Sequence, residues 1–134
     1  MRLPRISFLY LKFIYSNHST MNSSLFYSLL RKKFPFSPTY NQDIFFQKIA
    51  IFLTEAHNDT IFVLKGYAGT GKTTVISTIV NNLLEINKKY VLLAPTGRAA
   101  KVIANYSSKP AFTIHKKIYF PKKSSGGGVS FTLQ

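Results

Sequence analysis

Cysteine is absent from this 134-residue chain, which excludes disulfides and any nucleophile or metal site built on thiolates. Acidic residues are nearly as scarce. Four Asp and Glu stand against 18 Lys and Arg, a formal charge of +14, and Glu85 is the last carboxylate in the chain. No second His or carboxylate sits at metal-ligand spacing from His115, so a zinc site is rejected. Long apolar runs are also missing. The stretch from Ile6 to Tyr15 is interrupted by Lys12 and is too short to span a bilayer. No small-residue cleavage site follows it, which disfavours secretion. A cytoplasmic protein with no membrane span is the expectation. Residues 1–20 read as a poorly ordered extension, with Met21 as an alternative start ahead of a better helical pattern.

What is present points to a folded domain. Hydrophobic residues make up 46% of the chain and charged residues 16%, a balance that suits a globular core rather than disorder. The length fits one domain. An excess of basic charge this large concentrates phosphate-bearing partners, nucleic acid first. An acidic membrane surface is the weaker alternative.

Apolar spacing predicts the elements. Leu25, Phe26, Leu29 and Leu30 recur at helical period before Arg31-Lys32-Lys33, and the two prolines of FPFSPT read as a linker, so residues 21–38 form helix and linker. A second helix is predicted from Tyr40 to Ala56, burying Ile44, Phe45, Ile49, Phe52 and Leu53. Thr39 and Gln42 have the spacing of a capping box. His57-Asn58-Asp59 breaks that helix. TIFVLK, residues 60–65, is a β-branched run of the kind buried on both faces of a parallel sheet. A helix from Lys72 to Ile86, a strand from Tyr90 to Ala94 and a short helix after Pro95 follow. The order is that of an α/β unit. Residues 121–134 read as a soft polar stretch that starts a hairpin.

Only seven glycines occur, yet three fall within six residues, at Gly66, Gly69 and Gly71. Gly66, Gly71, Lys72 and Thr73 meet the spacing G-x-x-x-x-G-K-[ST] of a phosphate-cradling loop. Backbone amides at a helix N-terminus bind phosphate oxygens, and glycine allows the close approach. Residues Gly66, Tyr67, Ala68, Gly69, Thr70, Gly71, Lys72, Thr73 and Thr74 are therefore the expected ATP site. Lys72 is expected to neutralise phosphate charge and Thr73 to ligate Mg²⁺; these two are the catalytic candidates.

Three motifs in order, GYAGTGKTT, LLAPTGRAAKVIA and AFTIHKKI, resemble the first motifs of RecD-like superfamily 1 DNA helicases of the 5′→3′ branch. The resemblance runs from about Pro35 to Tyr119. It implies a P-loop NTPase of RecA-like fold, a parallel sheet with flanking helices that is incomplete in this chain, with residues 39–120 as the first part of the motor domain. It also implies an ATP-dependent helicase that translocates on single-stranded DNA. Carried over, Pro95, Thr96, Gly97, Arg98, Ala99 and Lys101 touch the strand, as do Thr113 and His115, and Gln42 recognises adenine. Arg98 and Lys101 are also readable as solvated charges, His115 as a packing residue, and Gln42 as the partner of Thr39 alone. Phe112, Tyr119 and Phe120 are able to stack bases, with core packing the preferred role for Phe112.

The resemblance breaks after Thr113. No acidic pair follows an apolar strand there, so the Mg²⁺-holding Asp and water-activating Glu of the second nucleotide motif have no counterpart, nor does a second motor domain. The expectation is the amino-terminal portion of a helicase, inactive by itself. Another P-loop ATPase or kinase, or a binding remnant without turnover, are the alternatives.

Overall fold

The computed structural model describes residues 10–14, 21–55, 60–123 and 129–133. In chain order the elements are β1 (Tyr10–Ile14), α1 (Ser23–Lys33), α2 (Tyr40–Glu55), α3 (Lys72–Asn82), a 3₁₀ turn (Leu83–Ile86), β2 (Lys89–Ala94), α4 (Gly97–Ser107), β3 (Ala111–Thr113), α5 (Ile114–Ile118), β4 (Tyr119–Lys123) and β5 (Val129–Leu133). The fold is α/β with a small three-stranded sheet that contains a parallel pair. β2 is its central strand, antiparallel to β1 and parallel to β3, and β4 and β5 form a separate antiparallel hairpin.

Each helix begins where the local chemistry favours it. Asn22 caps α1 by accepting the Leu25 amide at 2.8 Å. Thr39 Oγ1 accepts the Gln42 amide at 3.3 Å while the Thr39 amide donates to Gln42 Oε1 at 3.0 Å, the reciprocal capping box. The stretch predicted as one helix to Ile86 is α3 followed by the 3₁₀ turn. It ends at Asn87, whose left-handed conformation stops the helix. Lys88 follows, buried, and that burial lowers its pKa.

The core lies between α1, α2 and α3. Phe26, Leu30, Phe46, Ile79, Leu83 and Ile86 have almost no exposed surface. Phe46 was not among the residues expected on the buried face of α2; it meets Phe34 edge-on at 5.2 Å between centroids. Leu25, counted among the apolar positions of the first helix, is instead exposed, as is Leu84.

Two expectations are corrected. Residues 10–14, within the stretch read as a poorly ordered extension, form β1, because an exposed edge of β2 supplies a row of backbone partners. Residues 60–65 form no regular element and belong to neither sheet. Strand propensity depends on a neighbouring strand to pair with, and no described strand lies alongside. The segment still alternates. Phe62 and Leu64 pack on the core, Phe62 against Phe45 at 5.6 Å and Phe52 at 5.2 Å. Ile61 and Val63 are 85% and 59% exposed. The breaker His57-Asn58-Asp59 lies outside the described residues. Among those that are described, no helix is long and apolar enough to cross a membrane.

Candidate nucleotide and nucleic-acid site

Segment 60–65, anchored by Phe62 and Leu64, delivers the chain to the glycine loop. Gly69 and Gly71 both take positive φ, +81° and +77°, which L-residues avoid and glycine does not. Gly66 is closely surrounded: a Cβ there would lie 3.1 Å from Thr70 Oγ1 and 3.3 Å from Lys72 Cδ, so both side chains would have to shift slightly to admit it. At Gly71 a Cβ would meet Gln42 Nε2 at 2.7 Å. The loop is thus drawn tight by glycine at the positions where side chains converge.

Lys72 is the centre of that convergence. Its ammonium donates to the Gly66 carbonyl at 2.8 Å, to the Tyr67 carbonyl and to Thr70 Oγ1 at 3.2 Å. Thr70 Oγ1 in turn donates to the Tyr67 carbonyl at 2.9 Å. The loop therefore curls around its own cation. The Val75 amide closes the first turn of α3 on the Gly71 carbonyl at 3.0 Å. Side chains cap α1, α4 and α5, but the N-terminus of α3 has no side-chain cap. Its first-turn amides and the Lys72 charge face the loop together, and such an array attracts an anion. The residues present fit a phosphate group. Tyr67 lies on the exposed side of the loop, whereas Thr73 and Thr74 in the first turn of α3 are half-buried.

Gln42 joins this site from another element. Its Nε2 donates to the Thr70 carbonyl at 3.2 Å while its Oε1 serves the capping box. The adjacent Asp43 ties α2 to α1, accepting from the Tyr27 hydroxyl at 3.0 Å and pairing with Arg31 at 3.1 Å. That bracing fixes the start of α2, and with it the Gln42 amide against the loop.

The second set of candidates follows the C-terminal ends of two paired strands. In the parallel pair β2–β3, Ala94 stands opposite Thr113, so the segments that begin at Pro95 and at Ile114 leave the sheet at the same end. Thr96 Oγ1 accepts the Ala99 amide at 3.2 Å as cap of α4, and Thr113 Oγ1 accepts the Lys116 amide at 3.2 Å as cap of α5. Each hydroxyl keeps its hydrogen to donate. Pro95, Arg98, Lys101 and His115 are exposed. The Ser77 hydroxyl of α3 donates to the Tyr106 carbonyl of α4 at 2.7 Å, linking the two helices.

Phe112, expected to pack in the core, does not. It is 37% exposed, with Lys117 Nζ 5.2 Å from its ring centre, because β3 is a three-residue edge strand whose middle side chain faces away from the core. Of Phe120 only the backbone is described. Lys116 and Lys117, which follow His115 in the sequence, are exposed as well.

A family model described as AAA domain matches residues 47–131, more than half of the chain. The chain belongs to the AAA domain family. The matched region of this AAA domain starts in α2, covers the glycine loop and both nucleic-acid candidate segments, and ends in β5. The chain is also 34% identical over 99 residues to the RecBCD enzyme subunit RecD of Buchnera aphidicola subsp. Schizaphis graminum, covering 58% of this chain and 16% of that protein. To the RecD subunit of Buchnera aphidicola subsp. Acyrthosiphon pisum it is 47% identical over 57 residues, 40% of this chain and 9% of that one. An uncharacterized protein of Methanocaldococcus jannaschii is 46% identical over 61 residues, 42% of this chain and 5% of its own length. The chain thus spans less than a fifth of each of these relatives. No solved structure matches. A P-loop AAA domain implies binding of a nucleoside triphosphate, consistent with an ATPase.

Proposed function

We propose that this chain carries the ATP site and first strand contacts of a RecD-like DNA helicase, cytoplasmic and acting on single-stranded DNA. The observation that carries the reading is the closed glycine loop, where Lys72 and the uncapped first turn of α3 converge beside the Gln42 amide. In this reading ATP phosphates take over the contacts that the loop carbonyls now make with Lys72, which then balances their charge. Thr73 ligates Mg²⁺ and Gln42 turns its amide to the adenine edge; bound Mg²⁺ supplies charge neutralisation between the phosphates. Gly66, Tyr67, Ala68, Gly69, Thr70, Gly71 and Thr74 complete the cradle. Pro95, Thr96, Arg98, Lys101, Thr113 and His115 meet the strand backbone, with the two capping threonines donating to phosphates. In this reading the motor-domain portion starts at residue 39 and leads into the hairpin of β4 and β5.

The similarity to RecD subunits and the +14 charge favour this over a kinase or other P-loop ATPase. The two readings separate on linkage. An oligodeoxythymidylate titrated with and without a non-hydrolysable ATP analogue should show an affinity that changes with nucleotide. Binding that ignores the analogue, or no binding, rejects the helicase reading.

A further inference from the structure

α5 is a short helix between two strands, and its aromatic and basic side chains reach solvent. His115 and Tyr119, four residues apart, hold their rings 4.7 Å between centroids at 36°. Tyr119 is 37% exposed, as is Phe112 under Lys117. Ile114 and Ile118, each one residue before a ring of the pair, are half-buried. The Thr113 cap fixes the start of α5, so the ring pair stands on anchored backbone. An exposed ring already held against a second, tilted ring loses little freedom when a flat base joins it. Lys116 and Lys117 are exposed beside the pair, supplying the charge that a sugar-phosphate chain needs next to such a ring.

We propose that Tyr119, backed by His115, is a stacking platform for a base of single-stranded nucleic acid, with Lys116 and Lys117 contacting the flanking phosphates. The site rests on the helicase reading and deepens it: the strand leaving Thr96 and Thr113 is gripped through a base as well as through its backbone. Stacking accepts every base, because each has a π-face, so the grip is sequence-indifferent.

The test compares a fluorescein-labelled oligodeoxythymidylate with an abasic strand of the same length, by anisotropy on the whole chain. Thymidylate should bind about 5- to 150-fold more tightly than the abasic strand. Tyr119→Ala should erase that preference without altering abasic binding, and Tyr119→Phe should keep it. Tyr119→Trp introduces the chain's one tryptophan, whose fluorescence thymidylate should quench and the abasic strand should not. Lys116→Ala and Lys117→Ala should each weaken both strands and lower the salt slope by about 0.7. Equal binding of the two strands, or a preference that survives Tyr119→Ala, overturns the platform and leaves the helicase reading standing. Failure of the unaltered chain to bind either strand overturns both.

Discussion

At Gly71 two obstacles face a methyl group: φ is +77°, and the added carbon would lie 2.7 Å from the Gln42 amide nitrogen. The left-handed conformation alone costs an L-residue about 1–2 kcal/mol, and the contact pushes Gln42 off Thr70. Gly71→Ala should therefore lower the melting temperature and weaken nucleotide binding at least tenfold. Gly97 is the control, since nothing lies within 4 Å of a Cβ there; Gly97→Ala should change stability by no more than about 0.5 kcal/mol. Thermal melts of both variants check the pair, and equal losses would show that the loop does not depend on its glycine geometry. The loop residues themselves were legible in the sequence because their chemistry requires a fixed spacing. That Lys72 is held by the loop's own carbonyls was not, because the contact depends on how the loop closes.

Among the elements, α2 bears the largest share of the core. Phe46 is fully buried against Phe34, whereas Leu25 of α1 faces solvent. Phe46→Ala should cost about 3–5 kcal/mol, a large part of the ~5–15 kcal/mol that a domain commands. Leu25→Ala should cost less than about 0.5 kcal/mol, and urea unfolding of both reads the contrast. α1 and α2 were readable from periodicity nearly to the residue, since capping and apolar spacing are local. The strand at 60–65 was misread because a ladder needs a neighbour, and propensity cannot say whether one is present. β1 went unread for the complementary reason: its partner, β2, lies some 75 residues away along the chain. Phe112 was assigned to the core on hydrophobicity, but the position of an edge strand decides its exposure.

Over the whole molecule, the +14 charge sets how any anionic polymer is met. Binding to single-stranded DNA should weaken steeply with salt, at a slope of about 0.7 per phosphate neutralised. Anisotropy between low and physiological salt measures it, and a flat response would mean that the basic excess does not serve nucleic acid. The central claim is narrower: that the loop from Gly66 to Thr74 holds a nucleoside triphosphate. The most direct measurement is titration of the chain and of Lys72→Ala with a fluorescent ATP analogue in the presence of Mg²⁺. Loss of charge-assisted hydrogen bonds worth about 1.5–3 kcal/mol should weaken binding roughly 10- to 150-fold, with the fold unchanged by circular dichroism. Equal binding by the two proteins, or none by the unaltered chain, would contradict the account.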